Sequence, residues 1–499
     1  MYFYFKEDNS MSQLKMTIDR TNELSKINKE IYGHFAEHLG RCIYGGIYVG
    51  KDSPIPNING YRKDVVEALK ALKVPVLRWP GGCFADTYHW KDGIGKPEER
   101  RKIVNTNWGG VTEDNSFGTH EFLDFCELIG CDAYVAVNLG SGTVQEAAEW
   151  VEYMTSSNSS PMTDLRKKNG REKPWNVKYI GIGNESWGCG GSMTADHYSS
   201  LYNQFQQFIH SDGKIACGPN AGDYWWTDAI MRNCTGWNKS RGLSLHYYTI
   251  PSGDWGKKGS SADFSEEDYY STISNTWYME ELLNKHGAVM DRYDIEKKVG
   301  LVVDEWGIWT DVIDGTNPGF LYQQNSMRDA ILAAVNLDLF NQHSDRVMMA
   351  NIAQMVNVLQ AVILTEGERM IKTPTYHVFD MYKDHMDAKL VYSHIENKQI
   401  LEGKYLPAVS QSVSVDESGK LHITISNASL EEDFDIDCVL PRTDFKTATA
   451  KILTAKYDTC NTFDDPDAVA PKEFTDVTID GESLKFTLQK CSVLAIELC

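Results

Sequence analysis

Between about residue 31 and residue 387, short apolar runs alternate with longer stretches in which apolar residues recur every three to four positions. The apolar runs are Ile31–Phe35, Val76–Trp79, Tyr134–Asn138, Tyr179–Gly183, Ile215–Gly218, Leu243–Tyr247, Gly300–Asp304 and Val347–Ile352. The periodic stretches between them include Lys63–Leu72, Glu121–Ile129, Val144–Met154, Ala195–His210, Thr272–Lys285 and Met327–Asn341. Continuous apolar strands separated by helices predict a parallel sheet buried on both faces. Eight such units predict an α/β fold, a (β/α)8 TIM barrel with enlarged βα loops. A doubly wound sheet is the alternative, but no GxGxxG follows the first strand and no GxxxxGK[ST] occurs anywhere.

Beyond about residue 388 the period drops to two. Val413-Ser-Val415 and Leu421-His-Ile423-Thr-Ile425 flank the turn Asp416–Lys420, and Val477–Ile479, Leu484–Leu488 and Val493–Leu498 repeat the theme. This pattern predicts a C-terminal antiparallel β-sandwich. Leu14-Lys-Met16-Thr-Ile18 alternates in the same way. The expected organisation is therefore a segment 1–25 pairing into the sandwich, a catalytic barrel over 26–387 and a sandwich over 388–499.

Composition narrows the class. Of 499 residues 42% are hydrophobic and 24% charged, an ordinary globular balance. The net charge of −21 repels phosphates, so neither nucleic acid nor an anionic membrane is the expected partner. Eleven cysteines, an odd number without a CxxC pair, read as free thiols in a reducing cytoplasm. At the N-terminus Tyr2–Phe5 is too short an apolar run for a secretory signal, and Met11 is a candidate start, with residues 1–10 a dispensable leader. The most apolar segment, Ala330–Phe340, is interrupted by Asn336 and Asp338, so no membrane span is expected.

Barrel enzymes carry their chemistry at the C-terminal ends of the strands. The fourth strand runs into Gly183-Asn184-Glu185-Ser-Trp187, and the seventh into Asp304-Glu305-Trp306-Gly307. Strands 4 and 7 lie on opposite sides of an eight-stranded ring, which turns the two carboxyls toward each other across the mouth. Paired carboxylates are the equipment of glycoside hydrolysis, one protonated as acid and the other ionised as nucleophile or base. Two ordinary strand-end acids are the bland alternative. A rival is His34-Phe-Ala-Glu37-His38, which spells the zinc signature HxxEH. It needs a helix to bring both histidines to one face, whereas this segment leaves a strand.

The spelling of these segments resembles the family 51 glycoside hydrolases, the α-L-arabinofuranosidases. The resemblance runs nearly end to end, through Ile31–Leu39, Val76–Phe84, Tyr88–Gly95, Gly181–Gly188, Leu243–Tyr248, Val303–Gly307, Asn351–Leu359 and Asn461–Pro466. It implies a barrel joined to a β-sandwich, and an exo-acting retaining hydrolase that releases terminal α-L-arabinofuranosyl groups from arabinan or arabinoxylan fragments. By motif position Glu185 is the expected acid/base and Glu305 the nucleophile. The expected substrate-binding residues are Glu37, Arg78, Cys83, Trp108, Asn184, His246, Tyr248 and Gln354. Among them, Asn184 would meet the sugar 2-hydroxyl, Trp108 would form an aromatic wall, and Arg78 would also hold Glu305 ionised. Cys83 departs from a common family spelling with asparagine after the Pro-Gly-Gly; a thiol offers less hydrogen bonding. The expected partner is an arabinose-containing oligosaccharide. No cofactor and no metal are expected, and the family analogy suggests a homo-oligomer, a hexamer. The alternatives are an endo-β-glucanase or β-xylanase of the same superfamily and a non-hydrolytic carbohydrate-binding protein.

Overall fold

The computed structural model describes residues 12–234 and 240–499, so the expected leader and Met11 lie outside the described residues. Eight parallel strands close into a barrel: Gly33–Phe35, Val76–Trp79, Asp132–Val137, Val177–Ile182, Lys214–Ala216, Gly242–Thr249, Gly300–Ile308 and Val347–Ile352. They are called barrel strands 1 to 8 below. Val76, Tyr134, Tyr179, Ile215, Val302, Met348 and Met349 pack against one another inside the ring. The barrel is thus a filled core whose upper layer forms the floor of the site.

The sequence pattern misplaces some boundaries. Ile31 and Tyr32 belong to a 3-10 turn, Lys29–Tyr32, so strand 1 is only Gly33–Phe35. The stretch expected as one helix over Thr272–Lys285 is two, Glu266–Thr276 and Tyr278–Asp291, separated by Trp277. Pro161–Lys168 forms a helix that the pattern does not announce. It is short and polar, and rests on the Ser160–Thr163 capping box rather than on an apolar stripe.

Ten strands form a second sheet. The N-terminal strand Ser12–Lys26 enters it, antiparallel to Lys389–Ile395 and parallel to Phe434–Val439. Leu14, Met16 and Ile18 point into an apolar core shared with Val413, Ile423, Ile436, Phe486 and Ile496.

Helix Met327–Gln342 lies between this sheet and the barrel, and every residue from Met327 to Asn341 is buried. A helix covered all round can be apolar all round, which explains the hydrophobicity of Ala330–Phe340. Its Asp338 accepts hydrogen bonds from Ser410, Ser412 and Thr424 of the sheet at 2.7, 3.0 and 3.0 Å. Those bonds fix the sheet against the helix that follows strand 7. Among the described residues no helix is long and apolar enough to cross a membrane.

Candidate active site

Glu185 follows strand 4 with a left-handed backbone, φ +40°. That conformation is costly for a residue with a Cβ and is sustained by the surroundings. The Glu185 carbonyl accepts from the amides of Gly188 and Gly190 at 2.7 and 3.0 Å, closing a tight turn. The buried carboxylate of Asp86 accepts from the amides of Leu139, Gly140 and Asn184 at 2.9, 2.7 and 3.2 Å, tying the ends of strands 3 and 4 together.

Glu305 arrives differently. Strand 7 advances three residues, from Val302 to Glu305, while strand 6 advances two, from Ser244 to His246. The same extra residue appears against strand 8. This bulge breaks the alternation of faces and lets Asp304 and Glu305 both reach the interior. Both oxygens of Glu305 are held: Arg78 donates to Oε1 at 2.8 Å, and the Tyr248 hydroxyl donates to Oε2 at 2.8 Å. Gly82 makes room, because a Cβ there would stand 2.9 Å from Glu305 Oε1.

His246 sits between the carboxylates. Its Nδ1 is 2.8 Å from Glu185 Oε1 and 3.6 Å from Glu305 Oε2, and its Nε2 is 3.0 Å from Asp304 Oδ1. Tyr134 of strand 3 donates to the other Asp304 oxygen at 2.8 Å. Burial opposes a charge on His246, but Glu305 and Asp304 outweigh it and hold the imidazole up at about 10. It therefore stays protonated through neutral pH. Burial likewise raises Glu185 above the ordinary carboxylate range, helped by the charge of Glu305 and opposed by His246. Asp304 is held down: burial opposes its charge, and Arg78 and His246 more than compensate.

The opposite wall is built on Glu37, just past strand 1. It accepts from the Phe84 amide at 3.1 Å, the Trp108 indole at 2.8 Å and the Gln354 amide at 2.9 Å. Burial and the charge of Glu305 nevertheless push Glu37 up to about 7. Asn105 pins the Trp108 loop by donating to the His38 carbonyl at 2.7 Å. Gln354 Oε1 is buried without a hydrogen-bond partner among the described residues.

All ten expected site residues thus converge on one mouth, and one of them, Cys83, differs from the sequence reading. Arg78 is 1% exposed and donates to Glu305 and, at 2.6 Å, to the Asn184 side-chain oxygen. The bond to Glu305 is the pairing expected from the sequence. Cys83 is not a free thiol: it is bonded to Cys189, 106 positions away, and nine other cysteines are free. The odd total bears only on a complete set of pairs and says nothing about a single one. The disulfide lies against the expected acid, with Cys189 Sγ 3.4 Å from Glu185 Oε2. Iodoacetamide added to the native, unreduced enzyme should therefore label the exposed Cys499 and leave Cys83 and Cys189 unmodified. Peptide mass mapping reads this directly, and alkylated Cys83 would contradict the pairing.

The HxxEH spelling does not assemble a common pole. His34 packs on Phe379 at 4.9 Å, whereas His38 stacks on Phe84 at 4.8 Å. Asp304, Tyr134 and Asp86 are the functional neighbours that the sequence reading missed. For Asp304 the only signal was its place beside Glu305 in the Val303–Gly307 block.

Removing His246 tests the electrostatics. A general acid works protonated, so kcat/KM falls as pH rises through the pKa of Glu185. His246 lowers that pKa, so in His246→Gln the alkaline limb of residual activity should move to higher pH. A limb unmoved or shifted to lower pH would contradict the assignment.

Known proteins give the same picture. Residues 68–253 match the family described as alpha-L-arabinofuranosidase 1 domain, and residues 304–492 match the alpha-L-arabinofuranosidase C-terminal domain. An intracellular exo-alpha-L-arabinofuranosidase of Bacteroides ovatus is 52% identical over 480 residues, covering 95% of this chain and 93% of that protein. The crystal structure of the GH51 arabinofuranosidase from Xanthomonas axonopodis pv. citri superposes with a TM-score of 0.95 at 46% identity, covering 98% of this chain and all of that one. An alpha-L-arabinofuranosidase from Thermotoga maritima, solved as an arabinose complex, gives a TM-score of 0.86 at 33% identity, with 97% and 99% of the two chains covered. The endo-glucanase, xylanase and non-hydrolytic alternatives are not favoured by these likenesses. With its closed parallel barrel, its second sheet and two glutamates at the ends of strands 4 and 7, the chain belongs to the family 51 glycoside hydrolases, the α-L-arabinofuranosidases.

Proposed function

We propose that the enzyme releases terminal α-L-arabinofuranosyl groups by a double displacement, with Glu305 as nucleophile and Glu185 as acid/base. The carrying observation is the spacing: oxygens of Glu185 and Glu305 and a nitrogen of His246 all lie within 4.8 Å of one another. Retaining pairs stand roughly 5–5.5 Å apart, whereas inverting pairs need about 6.5–9.5 Å to admit a water. The anchoring supports the division of roles. Glu305 has both oxygens fixed by Arg78 and Tyr248, as suits an oriented nucleophile. Glu185 faces the opening with its side chain 18% exposed and its pKa raised by burial. In the first step it protonates the departing oxygen. The glycosyl-enzyme cancels the charge of Glu305, so the pKa of Glu185 falls and it takes the proton of the incoming water.

The exo preference follows from the closed floor. Glu37, Asn184, His246 and Gln354 are each at most 3% exposed, whereas Glu185, Trp108 and Tyr248 are partly exposed at the opening. A terminal furanose bound there would have Asn184 beside its 2-hydroxyl and Trp108 as a wall. The Bacteroides ovatus relative is named intracellular, and nine free cysteines suit a reducing compartment, so we place this enzyme in the cytoplasm. The test is a substrate panel. Aryl α-L-arabinofuranoside should be hydrolysed to arabinose and the phenol, arabino-oligosaccharides to arabinose and a chain shortened by one unit, and β-glucan and unsubstituted xylan should be left intact. Early release of long fragments would overturn the exo reading.

A further inference from the structure

We propose that Trp255 forms a further sugar subsite on the leaving side of the cleft, where it stacks the β-xylopyranosyl unit next to the one that carries the arabinose. This rests on the arabinofuranosyl release proposed above. A terminal furanose on the closed floor leaves the glycan it is attached to extending through the opening. Tyr248 stands at that opening, with its hydroxyl on Glu305 and its ring 5.0 Å from the ring of Trp309, edge to face. Trp309 in turn meets Trp255 edge to face at 5.2 Å. Exposure rises along this line: Tyr248 and Trp309 are partly exposed, and Trp255 is 53% exposed. An aromatic row thus runs from the nucleophile to the surface, in steps each close to the length of a pyranose unit.

The loop after strand 6 holds this ring in place. The Gly253 amide donates to the Ile250 carbonyl at 3.0 Å and the Gly256 amide to Asp254 Oδ1 at 2.8 Å, so the chain folds back on either side of Trp255. The Asp311 amide donates to the Gly259 carbonyl at 2.9 Å, and the Asp311 side chain accepts from the Gly259 amide at 3.1 Å. Asp311 lies just past Trp309, so this clamp sets one indole against the other. The part of a large apolar ring that stays in water adds nothing to the fold, and a ligand with an apolar face recovers that surface. Lys258 donates to the Trp255 carbonyl at 3.0 Å, and its ammonium, 5.6 Å from the ring centre, carries further donors for a sugar hydroxyl.

The flat rings select the sugar. β-Xylopyranose holds its hydroxyls equatorially, so both of its faces are arrays of C–H bonds that lie well on an indole. Arabinofuranose is puckered and directs polar groups to both faces. The row therefore favours a xylan backbone over an arabinan one as the glycan that departs.

The test compares xylose bearing one α-L-arabinofuranosyl group with xylotriose bearing the same group on its middle unit, beside an aryl α-L-arabinofuranoside. In the wild type kcat/KM should be about ten-fold higher on the substituted xylotriose than on the substituted xylose, mostly through KM. Trp255→Ala should abolish that gain and Trp255→Tyr should keep most of it, while both turn over the aryl substrate within about two-fold of the wild type. A wild type without the gain would overturn the subsite even if Trp255→Ala failed to fold. So would a gain that survives in Trp255→Ala, or an equal loss on the aryl substrate, which marks a purely structural ring. The same dependence on Trp255 with arabinotriose would overturn the choice of xylose. Failure of the wild type to hydrolyse the aryl substrate would instead overturn the proposed function itself.

Discussion

Glu305→Ala should lower kcat on aryl α-L-arabinofuranosides by about four orders of magnitude or more, whatever the leaving group, because a lost nucleophile ends the double displacement. No glycosyl-enzyme should accumulate. The variant leaves Arg78 with Asn184 and the Asp304 side, so its guanidinium remains paired and the fold should persist. Azide can occupy the space vacated by the carboxylate. Attack from that side is a single displacement, so the rescued product should be the inverted β-arabinosyl azide. Rescue by azide with retention would assign the nucleophile elsewhere. An unchanged melting profile separates chemical loss from unfolding.

Glu185→Ala should show the complementary selectivity. Substrates with poor leaving groups should slow by about 10²–10⁴-fold, the usual worth of a positioned proton donor. Dinitrophenyl arabinofuranoside needs no protonation, so its first step should survive and the enzyme should stall as the glycosyl-enzyme. Azide then replaces the unassisted water on the acid/base side. Two displacements give net retention, so the product should be the α-arabinosyl azide. Equal loss on all substrates, with no burst of dinitrophenol, would contradict the role. The loss of Glu185 also leaves His246 Nδ1 without its 2.8 Å partner, while Asp304 still anchors the ring.

Much of this site was legible in the sequence because barrels concentrate chemistry at strand ends. Each of the eight apolar runs overlaps a strand of the closed barrel, and reading onward from the fourth and seventh gives Glu185 and Glu305. Glu37, His246, Tyr248 and Gln354 were accessible through the resemblance and now surround the same opening. What lay beyond reach depends on departures from regular geometry or on distant partners. Asp304 should face away from Glu305 in an ideal strand, and only the bulge in strand 7 brings both inside. Tyr134 sits in an apolar run with nothing nearby to mark its hydroxyl as the anchor of Asp304. The Cys83–Cys189 bond joins two loops 106 positions apart, and compartment arguments point away from it. Asp86 has no local signature, since its three partners are backbone amides at the ends of two later strands.

The most direct measurement of the central claim is a peptide map of the stalled species. Glu185→Ala is mixed with dinitrophenyl α-L-arabinofuranoside, quenched in acid during the burst and digested with pepsin. The account predicts a mass increase of one anhydro-arabinose on the peptide containing Glu305 and on no other. An adduct on the peptide containing Glu37, or a burst that leaves every peptide unmodified, would contradict it.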